Sequence, residues 1–538
     1  MATYQSQVLD HLGLVAGMFN ELGIREVIDR TIPQDMTKRT VSLGQAVKAM
    51  VLNGLGFVNQ QLYLVPSFFQ NKPTERLVGP GITAAHLNDD VLGRALDALY
   101  STGVTSLYSL IATEAATRLG VLAQYAHLDT TSFHVDGRYN SAEEPDATVI
   151  HITQGYSRDH RPDLNQVMLE LIVEHQAGIP ILMKPLSGNT NDSVEFGRVV
   201  TEHVQQLQTA HRITYLVADS ALYNAENLGH LAQSGVKWIT RVPATLNEVQ
   251  AVLVHVTPDT MTPLTEGYRY HEEVSTYGGI AQRWVVVYSA ARQERVRRTV
   301  DRQVQTQSEA ELKAFKQLCR TAFACTADAQ QALVAFQHGL QATRLEGGTI
   351  RAVTRYGKRG RPTPGASPQK VEYMIEGALA SSLTFRQTRL AAKSCFILAT
   401  NECDPTALPA PEVLAGYKGQ STPERGFRFL KDPQFLASSL YLKKPERIMA
   451  LLMVMTVCLL VYAALEYRLR QALRAQQETF PDQKGRRVQS PTARWVFHYF
   501  VGIHVLLGVA KEPLVLNLHE EHQLVLRLLG TAYEALYS

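Results

Sequence analysis

The first part of the chain places apolar residues at helical spacing. This periodicity runs through residues 8–22, where Gly23 acts as a stop signal, and through residues 42–52, where Ser42 stands at a capping position. Asn88 precedes a third such segment, and residues 106–119 form a fourth. We therefore predict a helical domain over residues 1–115. It is either a compact packing unit or a helix-turn-helix-like DNA-binding domain, although no basic recognition helix stands out.

After residue 125 the pattern changes to short apolar runs typical of strands. The predicted strands cover residues 126–133, 149–154, 166–173, 179–186, 213–218 and 236–242. Asp136-Gly137 is a turn signal after the first strand, Asn191 or Asp192 is the N-cap of a helix within residues 188–207, and residues 226–233 are helical. Three meandering strands followed by alternating helix and strand are typical of an α/β fold with a mixed sheet. The first part of this sheet domain spans residues 116–243.

Residues 244–391 interrupt the alternation and are predicted to form an insertion domain. They comprise a hairpin-like pattern at residues 272–288, a helical stretch at 290–341 and a basic Pro/Gly-rich loop at 355–368. The helical stretch carries a basic patch of Arg292, Arg295, Arg297, Arg298 and Arg302. This patch and the loop segment from Arg355 to Arg361 are candidate DNA surfaces. The alternatives are a solvated helix face and an unstructured loop.

The strand pattern resumes at residues 395–400, which begin a second part of the sheet domain over residues 392–475. Within it, residues 448–465 contain eighteen positions without a charge, the length of a membrane-spanning helix. The segment stands alone and continues into Glu466 and Arg468 without a break, which favours a buried core helix over a membrane span. A helical C-terminal region, residues 476–538, follows, with a last helix predicted over residues 491–509.

Composition and charge narrow the class of protein. The chain has 538 residues, of which 45% are hydrophobic and 19% charged, so several packed domains are expected. A net charge of +3 means that any nucleic-acid surface must be local. Five cysteines without a C-x-x-C pair, and an N-terminus without a signal-peptide pattern, predict a cytoplasmic protein with reduced thiols. His127 and His134, which flank Asp129, are expected to be structural.

The sequence YKGQSTPERGFRFLK places an acid among bases. Thr422 followed by Pro423 predicts an N-cap and a first helical turn that contains Glu424, with the preceding tyrosine in a loop. Arg428 and Lys431 follow Glu424 at i+4 and i+7 on the same helical face. Alone, this stretch is typical of an amphipathic helix with a surface ion pair.

Two aspartates elsewhere in the chain are candidates to form a site together with Glu424. Asp129 lies in the first predicted strand, and Asp219 directly follows the strand at residues 213–218. Because side chains at strand ends of α/β sheets face ligand sites, the two can converge with Glu424. Carboxylate oxygens are the ligands that Mg²⁺ prefers, and two ions about 4 Å apart can activate an attacking oxygen and stabilise the leaving oxygen of a phosphodiester. The three acids together therefore predict a metal site, whereas each alone would be a cap or surface residue.

At these residues the chain resembles the DDE transposases of bacterial insertion sequences, in the subgroup with a Y-R-E-K signature. The resemblance lies in Asp129 of HLDTTSF, Asp219 of VADSALY, and Tyr417, Glu424 and Lys431 of the stretch above. It extends to GYSRDHRPDLNQ, LSGNTNDSVEF, WITRVPAT, HLNDDVLGRALD and KKPERIMALLMV, and thus to most of the chain. The arginine of the signature would fall at Gln420, which can donate to a phosphate but carries no charge. Arg425 or Arg428 could supply that charge instead.

The resemblance implies an RNase H-like core with an insertion before the last acid. Asp129, Asp219 and Glu424 would be the catalytic ligands of two Mg²⁺ ions, which Mn²⁺ could replace. The expected DNA-binding residues are Tyr417, Gln420, Arg428 and Lys431. The resemblance further implies a homodimer on double-stranded DNA, with the N-terminal domain at the terminal inverted repeats, in the bacterial cytoplasm and associated with the nucleoid. Water would free a 3′-OH at the element end, and this 3′-OH would attack target DNA.

Other functions of such a site stay open. An RNase H-like nuclease would cut without strand transfer, and a catalytically inactive relative would only bind DNA. A protein anchored in a membrane by residues 448–465 is the third alternative. Trp238 and Trp284 could stack on an unpaired base near the cut, although core packing is favoured for both.

Overall fold

The structure is a computed structural model that describes most of the chain. It covers residues 5–58, 61–122, 124–135, 139, 149–156, 161–357, 367–435, 442–508 and 513–538. The turn predicted at Asp136-Gly137 and residues 358–361 of the candidate DNA loop lie outside the described residues.

The predicted N-terminal helices are confirmed, and a short strand precedes them. Ser42 caps one helix, because its hydroxyl accepts from the Gln45 N–H while the Gln45 side chain accepts from the Ser42 N–H. The first helix begins at Leu12 rather than at residue 8, since residues 5–8 form the strand. The elements are β1 (Gln5–Val8), α1 (Leu12–Glu21), α2 (Ile24–Thr31), α3 (Leu43–Leu55), α4 (Val65–Phe69), α5 (Thr74–Leu77), α6 (Asp89–Thr102) and α7 (Val104–Leu119).

The mixed sheet begins with a three-stranded antiparallel meander to which two strands are added in parallel. Its elements are β2 (Tyr125–Val135), β3 (Asn165–Glu174), β4 (Pro180–Ser187), α8 (Asp192–His211), β5 (Tyr215–Ala218), α9 (Ala225–Ser234) and β6 (Lys237–Arg241). Strand β2 lies between antiparallel β3 and parallel β5, and β6 is parallel to β5. Asn191 is the N-cap of α8, and its side chain accepts from the Ser193 N–H. The mixed α/β fold predicted from the sequence, with its RNase H-like core, is confirmed.

The strand predicted at residues 149–154 is wrong. Only Thr153 pairs, in an isolated bridge to Gln166. Strand β2 occupies one edge of β3, and β4 occupies the other from Val167 onward, so only the end of β3 at Gln166 is left for this segment to pair with.

One part of the segment predicted as an insertion adds strands to this sheet, and the other part lies outside the sheet. Its elements are α10 (Asn247–His255), β7 (Thr262–Thr265), β8 (Tyr268–Tyr277), β9 (Ile280–Ser289), α11 (Ala290–Arg320), α12 (Thr326–Gly339), β10 (Thr343–Arg355), β11 (Lys370–Ser381) and α13 (Leu383–Ser394). The next strand, β12 (Cys395–Thr400), pairs with β6 on one side and β9 on the other. The sheet order over the described residues is therefore β4-β3-β2-β5-β6-β12-β9-β8-β7. Strands β10 and β11 form a separate ribbon beside α11 and α12.

The remaining elements lead back to the first strand of the chain, β1. They are α14 (Ala410–Lys418), α15 (Ser421–Leu430), α16 (Pro445–Ala475), β13 (Phe480–Pro481), β14 (Arg487–Val488), α17 (Ala493–Tyr499), β15 (His504–Leu507), β16 (Leu514–Leu516), α18 (Glu520–Leu529) and α19 (Thr531–Glu534). The helix predicted over residues 491–509 is wrong beyond Tyr499. Residues 504–507 instead pair antiparallel with β1, so the two ends of the chain share a sheet.

Helix α16 forms the centre of the helical part of the molecule. It contacts α1, α3, α6, α7, α15 and α18. Its most apolar window is 83% buried, which confirms the predicted core helix. At its first turn, the Arg447 guanidinium donates two hydrogen bonds of 2.7 Å to the Asp97 carboxylate of α6. The N-terminal helices and the sheet domain therefore share one apolar core.

Candidate active site

Two of the three predicted acids stand side by side on neighbouring strands. In the parallel pair β2–β5, Leu128 is in register with Ala218, so the next residues, Asp129 and Asp219, are neighbours. Adjacent strands lie about 4.8 Å apart, and residues in register point to the same face of the sheet. The pairing of strands thus places the two aspartates side by side at one position along the sheet.

Both aspartates are oriented by backbone hydrogen bonds. The Asp129 carboxylate accepts from the Thr130 N–H at 2.8 Å, and only 7% of the residue is exposed. The Asp219 carboxylate accepts from the Ala221 N–H at 2.9 Å. Its main-chain carbonyl accepts from the Thr240 hydroxyl of β6 at 2.7 Å. One oxygen of each carboxylate is therefore engaged by the backbone, which fixes the direction of the group.

Helix α15 brings the third acid to the same cleft as Asp129. Its buried side, which includes Phe427 and Leu430, packs against β2, β3 and α16. Gly426 permits the close approach to α16, since an added Cβ would lie 3.0 Å from the Leu459 Cδ2 atom. Glu424 and Arg428 are on the exposed side.

An open cleft of about 490 Å³ joins these side chains. Its lining comprises Asp129, Thr131, Glu424, Phe427, Arg428, Lys431, Asp432 and Pro433. The structure thus brings Glu424 together with Asp129 and with two of the predicted DNA-binding bases. The Lys431 ammonium lies 5.8 Å from the centre of the Phe133 ring of β2.

The local structure around Glu424 differs from the prediction in three ways. Helix α15 begins at Ser421, so Thr422 lies inside its first turn and is not the N-cap. Tyr417 is in the last turn of α14 rather than in a loop. Lys431 follows the last residue of α15, so it does not continue the helical face. Because residues 419 and 420 separate the two helices, the stretch is not one unbroken helix.

Gln420, predicted as a DNA-binding residue, has its side chain inside the protein. The residue is 9% exposed, and its amide Nε2 donates to the Leu128 carbonyl at 2.9 Å. Its Oε1 lies 3.3 Å from His127 Nδ1. Since Oε1 can only accept, the His127 proton is on Nδ1. Both ends of the amide are therefore used inside the protein, where Gln420 ties the start of α15 to the strand that carries Asp129.

His127 extends this connection to a second histidine. Its Nε2 lies 3.0 Å from His175 Nδ1, and burial, with the neighbouring His175, lowers the pKa of His127 to about 4. The ring is therefore neutral at pH 7 and has the structural role predicted for it. Gly419 packs directly on the pair, since an added Cβ would lie 2.4 Å from His175 Nδ1 and 2.6 Å from His127 Nε2. We call Gly419, Gln420, His127 and His175 the helix junction.

Tyr417 neighbours two of the acids and a base, Arg241, that the sequence analysis missed. Burial raises the pKa of the Tyr417 hydroxyl; Asp219 and Glu424 act in the same direction, and the neighbouring Arg241 opposes them. The hydroxyl therefore has both acids and Arg241 in its surroundings. Arg241 is the last residue of β6, within the WITRVPAT run, and only the strand pairing shows that it lies on the Asp219 side of the sheet.

The donor chemistry of the acids fits a hard divalent cation, which takes carboxylate oxygens. Among the described residues, however, no three Asp, Glu, His or Cys side chains are close enough together to hold a metal ion. Asp129 is therefore a neighbour of Asp219 on the sheet and shares a cleft with Glu424, but the three acids do not form a finished ligand shell.

The other candidate DNA-binding features have mixed outcomes. Trp238 and Trp284 are 0% and 2% exposed, so both are core residues and cannot stack on a base. In the basic patch, Arg297 pairs with exposed Glu294 at 3.7 Å. Arg355 of the candidate loop pairs across the ribbon with Glu372 at 3.0 Å. Such pairs are typical of solvated surfaces.

Comparisons with known proteins show the family of the chain. A family model described as a domain of unknown function, DUF4277, matches residues 4–113. No curated protein sequence matches the chain significantly. A piggyBac transposase synaptic complex with hairpin DNA, solved by cryo-EM, superposes with a TM-score of 0.38 and 11% identity, over 93% of this chain and 82% of that chain. That superposition is too loose to assign corresponding residues. The family model described as a transposase DDE domain matches residues 128–461, more than half of the chain, which therefore belongs to the DDE transposase family.

Proposed function

We propose that this transposase binds the terminal inverted repeats of its own insertion sequence, cleaves the DNA at the element ends and joins the 3′-OH ends to target DNA. The observation that carries the proposal is the register of β2 and β5. It sets Asp129 beside Asp219, with Glu424 in the same cleft as Asp129. Hydrolysis and strand transfer both need one oxygen activated and another stabilised at a phosphodiester, and three carboxylates around one region suit that task.

In this proposal Asp129, Asp219 and Glu424 hold two Mg²⁺ ions, which Mn²⁺ can replace. When bound, the ions lower the charge at the scissile phosphate and activate the attacking oxygen. The chain's own residues orient the DNA: Arg428 and Lys431 neutralise phosphates along the cleft, and the Tyr417 hydroxyl donates to a phosphate beside the acids. Gln420 has no DNA contact and instead positions α15.

The Y-R-E-K assignment is part of this proposal, with a changed role for its second position. Tyr417, Glu424 and Lys431 keep the functions that the signature implies, while the charge of the signature arginine comes from another part of the chain. We further propose that the helical domain, residues 1–115, contacts the element ends, that a homodimer forms on DNA, and that the protein acts in the bacterial cytoplasm on the nucleoid. Light scattering with and without the end DNA tests the dimer.

A strand-transfer assay tests the activity. The substrates are duplexes that end in the inverted repeats flanking the coding region, either intact or pre-cut, together with a plasmid target and Mg²⁺. We expect wild-type protein to cut the first substrate and join the second, whereas cutting without joining would show a nuclease. Asp129→Asn, Asp219→Asn and Glu424→Gln should each reduce both steps by about 1,000-fold or more, because the site loses a metal ligand.

Binding to the same duplex in EDTA separates loss of chemistry from loss of fold. All three variants should bind with wild-type affinity. Glu309→Gln is the matched control, since it neutralises an exposed acid of α11 and should leave both steps unchanged. If any of the three acid variants kept full activity, that residue would not be a metal ligand.

A further inference from the structure

A pocket lined by four cations lies beside the candidate active site. Its volume is about 350 Å³, and its walls come from the end of β6, from α10, from the first turn of α11, from α13 and from β12. The charged lining residues are Arg241, Arg292, Arg389 and Lys393. The part of the lining that the structure describes contains no carboxylate. We name these four residues the cation pocket.

The cations are held in place by neutral contacts. Arg292 Nε donates to the Lys393 carbonyl at 2.8 Å, which joins α11 to α13. The Lys393 ammonium donates to the neutral Gln303 side chain at 2.7 Å. The Arg389 guanidinium lies 5.0 Å from the centre of the Phe385 ring. None of these contacts brings a negative charge, so the like charges of the pocket are not compensated by them.

The pKa of Arg292 also reflects the clustering of positive charges in the pocket. Burial lowers the pKa of the Arg292 guanidinium, and the positive charges of Arg241 and Arg295 lower it further. Such a cluster is stabilised when an anion enters. Guanidinium groups are well suited to phosphate because their planar N–H donors match its oxygens in pairs.

The position of the pocket connects it to the acids. Arg241 directly follows Thr240, whose hydroxyl donates to the Asp219 carbonyl. Phe396 lines the pocket, and its ring centre lies 6.4 Å from that of Tyr417. The side chain of Phe396 therefore connects the pocket to Tyr417, which neighbours Asp219 and Glu424.

We propose that the cation pocket binds one backbone phosphate of the DNA strand that passes the acids. This inference rests on the proposed function. It also explains how the chain manages without a charge at Gln420: the guanidinium of Arg241, which neighbours Tyr417, supplies it.

The test measures DNA binding in EDTA, where no cleavage occurs. The probe is the fluorescently labelled duplex with the inverted repeat, and the readout is the slope of log affinity against log salt concentration. Arg292 is left intact because it joins two helices; the variants are Arg241→Ala, Arg389→Ala, Lys393→Ala and the triple. Arg344→Ala, which removes one exposed ribbon charge paired with Glu346 at 2.9 Å, is the charge-matched control for the single variants.

We expect the triple variant to lose about 0.9 from the slope, the value for one phosphate on B-DNA, and the single variants to lose no more than this. A loss of about 2.7 would mean three separate phosphates, and no loss would mean no phosphate; either overturns the proposal. The control should keep the wild-type slope. Circular dichroism confirms that each variant is folded, and Arg389→Ala, which changes an exposed residue, keeps the test valid if the triple variant is not.

A second probe, sodium pyrophosphate, separates DNA phosphate from a free phosphate ligand. If pyrophosphate raises the unfolding temperature of wild type but not of the triple variant while the DNA slopes are equal, the pocket serves a small ligand, and the DNA assignment is wrong. If wild type cleaves the element ends but the slopes are unchanged, the pocket proposal fails alone. If wild type does not bind the repeat duplex at all, the proposed function fails instead.

Discussion

Replacing Gln420 by arginine tests the helix junction against the family signature. The signature implies that arginine at this position should improve the enzyme. The structure implies the opposite, because Gln420 accepts from His127 Nδ1 while it donates to the Leu128 carbonyl. Arginine has no acceptor, so Gln420→Arg leaves the His127 N–H unpaired and buries a cation beside it.

The magnitude follows from these two changes. A buried donor left without its acceptor costs about 1–3 kcal/mol, and a buried charge without a counter-ion costs several kcal/mol before relaxation. We expect Gln420→Arg to lower the free energy of unfolding by about 3–5 kcal/mol. This is a large share of the roughly 5–15 kcal/mol that stabilises a typical protein.

Urea denaturation and end cleavage are the two assays. The midpoint of the transition that includes β2 and α15 should fall by about 1 M or more. Cleavage should fall as well, since the start of α15 sets the position of Glu424. Gln317→Arg, at an exposed position of α11, adds the same charge without burying it and should change neither measurement. A Gln420→Arg protein as stable as wild type that cuts faster would refute the reasoning.

Two further predictions concern the same junction. Gly419→Ala should lower the free energy of unfolding by about 1–3 kcal/mol, because the added Cβ would overlap the rings of His175 and His127. The control is Gly339→Ala, where no atom lies within 4 Å of the added Cβ. It should leave the free energy of unfolding unchanged in the same urea titration. For His127, the pKa is about 4 in the folded chain and ordinarily 6.5, so below pH 6.5 the unfolded chain binds the extra proton and stability falls as the pH falls. The loss should reach about 3 kcal/mol near pH 4 and vanish above pH 6.5. His127→Gln should remove this part of the pH dependence, which the difference between the two urea titrations measures; equal pH profiles would show that His127 is readily protonated in the folded protein.

The sequence predicts those features of the fold that depend on residues close together along the chain. The period of apolar residues identifies the helices α1, α3, α6 and α7 and the strands β2 to β6 because burial of one face repeats along each element. The short helices α2, α4 and α5 are not predicted by it. Asp129 and Asp219 stand out by residue type and by their place within or after a strand, and Glu424 by its place in a first helical turn among bases. Their convergence depends on the pairing of β2 with β5, which no local pattern records.

The errors arise where a distant partner overrides a local preference. Thr422-Pro423 is a sound N-cap signal, yet the helix begins earlier because Gln420 is held by His127 and Leu128. Residues 504–507 have helical spacing in sequence, but β1 provides a strand edge almost five hundred residues away. Arg241 escaped notice because its significance comes from Tyr417 and Asp219, which are its neighbours only in the folded chain.

The pairing of β1 with β15 has a consequence for engineering the protein. Gln5 is in register with Leu507, and the Tyr537 hydroxyl donates to the Asp10 carbonyl at 2.6 Å, so the described ends of the chain lie next to each other. A short linker could therefore join them, and new termini could be opened in a surface loop far from the acids. Removal of residues 1–115, by contrast, would uncover the apolar side of α16 and the edge of β15. Circular permutation should therefore preserve the fold better than deletion of the helical domain.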